Sequence, residues 1–375
     1  MKRFVIFLGV VFFCGVVTNV SAQEIHQDLK EIITAEVTDV VSIEESEIVG
    51  TDTFATVQQV GAKLTSGSSI GRIVTFENEM VTLEIGDTIY LNHVVLIDGT
   101  EYFVFKDFKR HSQLIVLAIF FVLLLLLFSG WHGVRALLSL ALSIGAIIFV
   151  LVPLMLKGYN PALVSLCVSA VVLALVLFLT HGFNARSSIA FFGTFAAVLI
   201  TCVIAWLSVS SMRLTGFGND AAVSLNFATR GTLDFAGLLL GSIIIGILGM
   251  LDDVSITQVS VVQQLKRANN SLHAYELYQR AIQVGKDHIG SLVNTLALAY
   301  VGISLPLVLL FAHADASLGL TLNQEVVASE LVRIIVGSIG LILAVPLTTL
   351  IASIYFGKHK VDEKDILLHD HGHVH

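Results

Sequence analysis

From Leu114 to Phe356 the chain is close to continuously apolar, and this stretch constrains the fold more than any motif does. Overall 55% of the residues are hydrophobic and 13% are charged, with a mean hydropathy of +0.86. Soluble domains carry roughly a quarter charged residues. In hydrocarbon every backbone N–H and C=O must find a partner inside the chain, so a spanning segment of this kind folds as helix. The sequence therefore reads as an α-helical integral membrane protein.

A crossing needs about 20 apolar residues. Seven spans are predicted after the leader, at approximately 112–128, 134–156, 162–180, 188–209, 235–252, 290–311 and 331–355. They make up a membrane domain over residues 111–356. The chain opens with Met1–Lys2–Arg3, an apolar run from Phe4 to Val17, and then Val20–Ser21–Ala22. A basic start, a short apolar run and small residues before the cut define a secretory signal, here residues 1–22; an uncleaved first anchor is the rival reading. An exported domain over 23–110 followed by seven spans leaves the C-terminus in the cytoplasm. The charges agree with this orientation. Arg135, Arg186, Lys266, Arg267, Arg280, Lys286, Lys358, Lys360 and Lys364 fall on the inner side. The outer loops hold only Lys157, Arg213 and Arg230, with Lys106, Lys109 and Arg110 just before the first span. Such a bias follows the positive-inside rule.

Residues 23–110 have ordinary soluble composition and carry strand signals, in Ile32–Val37, Phe54–Val60, Arg72–Phe76 and Ile89–Ile97. Asp98–Gly99 between two such runs is a hairpin signal. About five strands in this length predict a small all-β, OB-like barrel, a closure that hides sheet edges. Tyr102, Phe103, Phe105 and Phe108 either stack on a ligand or, as the commoner arrangement, pack the barrel. The domain has no cysteine, so it has neither disulfides nor a thiolate metal site. Cys167 and Cys202 fall inside spans and read as small core residues.

The polar groups of the membrane domain are few. Asp252 and Asp253 stand at the inner end of the fifth span, opening a cytosolic segment at about 253–289. If the helix continues, Asp253, Thr257, Ser260 and Gln264 share one face, with Ile256, Val259 and Val262 opposite. Facing the bundle, that stripe would coordinate a cation or carry a proton; facing outward, it is the wet side of an interfacial amphipathic helix. Asp287 is placed to cap the sixth span, Asn294 lies one turn inside it, and Glu276 and Arg280 are spaced as an i, i+4 pair. Glu330 and Arg333 open the seventh span at i, i+3, a spacing that allows an ion pair. Pro153, Pro306 and Pro346 lie inside predicted helices, where proline frees a carbonyl and bends the rod.

Two enzyme classes use intramembrane acids, and neither fits. A sugar transferase would want a third acid near Asp252–Asp253, and an aspartyl protease would want a second glycine in Gly249–Met250–Leu251–Asp252. No glycine-rich stretch ends in Lys-Ser or Lys-Thr, which points away from an ATP-driven pump. The net charge of −8 comes with no basic patch, so nucleic acid is set aside. No catalytic residues, metal site or cofactor are assigned. The tail from 357 to 375 ends in alternating His369, His371, His373 and His375, a pattern able to bind Zn²⁺, Ni²⁺ or Cu²⁺ weakly.

Long motifs in order give the chain a family likeness. Glycines before LGMLDDVSITQ, then YELYQRAIQVGKDHIGSLVNTLALAYVGISLPLVLLF and VRIIVGSIGLILAVPLTTLIAS, resemble the YibE/YibF-like membrane proteins of bacteria. The likeness extends through LVPLMLKGYNPALVSL and GFNARSSIAFFGT to the front domain ending DGTEYFVFKDFKR. Where such proteins have GRDHI, this chain has Gly285–Lys286–Asp287–His288–Ile289, which keeps the charge and loses the guanidinium fork. The resemblance implies a multi-pass protein of the bacterial plasma membrane for which transport is the usual suggestion, and it brings no catalytic residues. The resulting expectation is a secondary transporter or permease for an ion or small solute. Its pathway candidates are Asp252, Asp253, Thr257, Gln258, Asp287, Asn294, Glu330 and Arg333, and His288 also lies in the matching motif. The alternative is an envelope scaffold or sensor whose β domain binds a protein partner. Lipid contact and a homo-oligomer are compatible with either.

Overall fold

The computed structural model describes residues 29–47, 54–67, 69–79, 81–96, 99–313 and 317–359. The signal segment, Asp98 of the hairpin signal and the histidines of the tail lie outside these residues. The chain divides into two compact units, up to Phe121 and from Val122 onward.

The first unit contains β1 (Leu29–Glu47), β2 (Phe54–Leu64), β3 (Ile73–Asn78), β4 (Thr88–Val95) and β5 (Glu101–Phe108). They form one antiparallel sheet in the order β3-β2-β1-β4-β5. β1 is long enough to serve two partners: Leu29–Glu36 pairs with β4, and Ala35–Glu47 pairs with β2. Register shifts at Val37/Asp39 and Val40/Ser42 lie on the part that pairs with β2. Bulges there bend and twist a strand, and the sheet curls into a half-barrel. Alternate residues point inward, among them Ile33, Ala35, Val60, Ala62, Ile89 and Leu91, all at most 2% exposed. Phe105 is in this core, Phe103 and Phe108 pack against it, and Tyr102 is exposed. At the two sheet ends Arg72, just before β3, bonds Glu101 of β5 at 2.6 Å and lies over the ring of Phe103.

The second unit is helical. α1 (His111–Ala146) begins in the first unit, and a π-helical turn (Ile147–Leu151) joins it to α2 (Val152–Leu156). There follow α3 (Pro161–His181), α4 (Ala185–Ser211), α5 (Asp220–Ala228), α6 (Phe235–Ala268), α7 (Ala274–Ile303), α8 (Leu305–His313), α9 (Leu318–Asn323) and α10 (Glu325–Lys358). Five of the helical runs are long and apolar enough to cross a membrane, or six if the bent pair α7–α8 counts as one span. All seven expected spans fall within these runs. The first two expected spans fall in one run, His111–Leu156, interrupted at Gly130, whose φ of 53° and ψ of −131° are not helical. The chain there has no proline to stop the helix.

Two expectations about single residues change. α6 runs on to Ala268, and α7 starts at Ala274. Asp287 is thus well inside α7 rather than at its start. Glu276, expected to pair with Arg280, accepts the His273 N–H at 3.0 Å and caps α7. Other helix starts follow the sequence, with Asn160, Asn184 and Asp234 accepting N–H groups of the first turns of α3, α4 and α6.

α10 is the hub, packed against α4, α6 and α7. Its N-terminus is pinned by Glu325, whose carboxylate accepts the N–H groups of Thr215 and Gly216, both at 2.7 Å. Gly216 has φ +84°, and a Cβ there would fall 2.2 Å from the Phe235 carbonyl, so only glycine fits. Small residues bring the helices together, as is usual where lipid removes the hydrophobic drive between them. A Cβ on Gly193 would lie 2.5 Å from the Thr348 hydroxyl, one on Gly340 2.7 Å from that of Thr201, and one on Gly241 2.3 Å from that of Ser165.

Candidate functional sites in the membrane helices

α6 and α10 run parallel in close register, since Ser242 meets Arg333 near one end and Ser255 meets Thr348 further along. α7 lies against both. Its Tyr300 approaches Gly246 of α6, and its Gly285 approaches Gln258 of α6 and Val345 of α10. Two polar groupings result, one near each end of the three-helix contact.

The first is built on Arg333, two turns into α10. Its guanidinium bonds the Glu330 carboxylate at 2.5 Å and the Ser242 hydroxyl at 3.1 Å, and lies 5.8 Å from the centre of the Tyr300 ring. The Arg333 and Glu330 side chains are 20% and 26% exposed, and Arg333 Nε is buried without a hydrogen-bond partner among the described residues. Glycine at 246 is what lets the Tyr300 hydroxyl come so near, because a Cβ there would be 2.5 Å away. Tyr300 is one turn before the break at Ser304, where α7 and α8 meet at 67°. The i, i+3 pair expected from the sequence is therefore present, with two further helices around it.

The second grouping is deeper in the bundle. Thr348 donates to the Ser255 hydroxyl at 3.1 Å, and both residues are fully buried. One turn along α6, Gln258 is 3% exposed, and its amide nitrogen fills the space left by the missing side chain of Gly285. Gln258 Oε1 has no hydrogen-bond partner among the described residues.

The remaining sequence candidates are not gathered by these contacts. Asp253, Thr257 and Gln264 are exposed and Ser260 is half-buried, while Ile256, Val259 and Val262 are buried. The stripe thus turns away from the core of this unit. Asp252 is half-buried, and its carboxylate accepts the Asp253 N–H at 2.9 Å. Asp287, His288 and Asn294 are exposed along α7. Near the end of α3, His181 is within electrostatic reach of Arg186, Asp253 and His132. No group of three or more His, Cys, Asp or Glu able to hold a metal occurs among the described residues.

Sequence reasoning missed Ser242, Ser255, Tyr300 and Thr348. A usable signal was present in the spacing of Gly and Ser along the α6 sequence and in the Thr pair of PLTTL, which mark small-residue helix contacts.

A family model described as YibE/F-like protein matches residues 117–358, more than half of the chain. No curated protein and no solved structure matches it.

Proposed function

We propose that this chain, which belongs to the YibE/F-like family, is a secondary transporter or permease for an ion or small solute in a bacterial plasma membrane. In this reading it crosses the bilayer seven times, with the β domain outside and the C-terminus in the cytoplasm. The carrying observation is the Arg333–Glu330 pair, held with Ser242 and Tyr300 among apolar helices one turn from the 67° break. Charged groups within apolar spans are expensive and mark pathways more often than packing. Broken helices beside polar sites are a recurring device of alternating access. Arg333 and Glu330 would close the outer side, and α8 would swing about Ser304 to open it. Asp252 and Asp253 would meet the solute at the opposite end, with Asp287 and Asn294 along the flank of α7.

The β domain would be the exported part of the chain. Its strand order, with β1 between β2 and β4 and with Arg72 joining the β3 and β5 ends, supports the OB-like reading. No catalytic step belongs to this function.

The test is flux into liposomes carrying the purified full chain, across a panel of cations, protons and small anions. Arg333→Gln is expected to lower flux about tenfold or more without loss of fold, because the closed state depends on its pairing. Asp252→Asn/Asp253→Asn is expected to lower it as well. A folded wild type that moves nothing would reject transport. That outcome favours the envelope scaffold or sensor, whose partner would dock on the β domain where β3 and β5 meet through side chains.

A further inference from the structure

The group hardest to explain as packing is the Gln258 carbonyl oxygen. It is buried among α6, α7 and α10, carries a partial negative charge, and bonds to nothing among the described residues. Its own amide nitrogen is wedged into the glycine gap at 285, which fixes the side chain and leaves only the oxygen available. Ser255 lies one turn back on the same helix, with its hydroxyl already joined to Thr348 of α10. Residues three apart on a helix have their Cβ atoms about 5–6 Å apart. Gln258 Oε1 thus lies one turn along α6 from a buried hydroxyl pair that joins α6 to α10.

We propose that Gln258 Oε1, Ser255 Oγ and Thr348 Oγ1 form a binding site for a monovalent alkali cation. Neutral amide and hydroxyl oxygens are hard ligands, with no thiolate or imidazole to attract a transition metal. No carboxylate belongs to the set, so the demanding charge of a divalent ion is unmatched there. Asp253 and the half-buried Asp252, about 7.5 and 9 Å from Gln258 along the helix axis, supply the nearest compensating charges on α6. A bound cation completes the coordination of the orphaned oxygen, and the Thr348 hydroxyl needs only to turn its proton away. As a coupling-ion site this rests on the transport reading above; as a binding site it stands without it.

The full chain, purified in detergent, is unfolded thermally in sodium, potassium and choline chloride at equal ionic strength. A ligand that binds the folded state alone raises the midpoint with its concentration. The expected result is a higher, saturating midpoint in at least one alkali salt than in choline. Gln258→Leu is expected to abolish that difference and to be no less stable than wild type in choline, since it removes the unpaired oxygen and keeps the volume. If Gln258→Leu does not fold, Thr348→Val is read instead and should raise the half-saturating concentration roughly tenfold, the smallest usual effect of disturbing an ion's surroundings. Equal midpoints in all three salts would overturn the site, as would a Gln258→Leu protein with the wild-type response. A saturable response from a protein that moves no solute supports the site and counts against the transport reading alone.

Discussion

Gly193 and Gly249 are the same residue in the same kind of helix, yet their surroundings give them opposite weights. A Cβ on Gly193 would stand 2.5 Å from the Thr348 hydroxyl and 2.9 Å from its Cα, while one on Gly249 would meet nothing within 4 Å. The backbone contact cannot yield without separating α4 from α10. Gly193→Ala is therefore expected to cost about 1–3 kcal/mol, the usual range for overpacking. Gly249→Ala should be neutral or stabilising by up to about 1 kcal/mol, through helix propensity. Thermal or denaturant unfolding of the two variants in detergent checks both signs. The same contrast explains which site residues were legible. Asp253, Thr257 and Gln264 stood out because they are polar, but in a membrane helix the inner and outer faces are both apolar, so periodicity does not say which way a stripe turns. Gln258 and Arg333 were named with them, and only the packing of α7 and α10 separates these from the exposed set.

At the level of the element, proline has two different outcomes here. Pro306 follows the 67° break between α7 and α8, whereas Pro346 sits inside a continuous α10. Each removes an N–H and crowds the carbonyl four residues back. α10 is clasped by α4, α6 and α7, which hold the rod on line, but α8 has no buried residue to hold it. Replacing Pro306 with alanine should straighten the joint, and Pro346→Ala should leave the path of α10 unchanged. Spin labels at Ser291 and Leu310 would report a longer, narrower distance distribution in the first variant; an unchanged distribution would mean that Ser304, not the proline, makes the bend. The kink itself was readable from the sequence, since Pro306 lies in an apolar run. The true start of α7 was less so: Ala274–Ile289 is too polar for a span, and the cap at His273 and Glu276 resembles an ordinary ion-pair spacing.

For the whole molecule the open quantity is the number of crossings, and it turns on Gly130. His111–Leu156 contains 46 residues, which as one rod would be about 69 Å long. The hydrocarbon layer is about 30 Å thick. One crossing would leave more than half of this highly apolar run in water, which the hydrophobic effect strongly opposes. A hinge at Gly130, the one residue of α1 with non-helical backbone angles, divides the run into two lengths that each fit. The sequence predicted two spans here from length alone, and it contains no proline or polar loop that would have forced the helix to stop. The two topologies differ most at His132. With two crossings, a cysteine at His132 is reached by an impermeant thiol reagent from the same side as one at Asn269, and one at Tyr159 is reached from the other side. With a single crossing, His132 sits in hydrocarbon and is labelled from neither. Labelling of His132→Cys, in a chain whose Cys167 and Cys202 are replaced by serine, decides between them. Protection from both sides would leave α1 as one tilted rod.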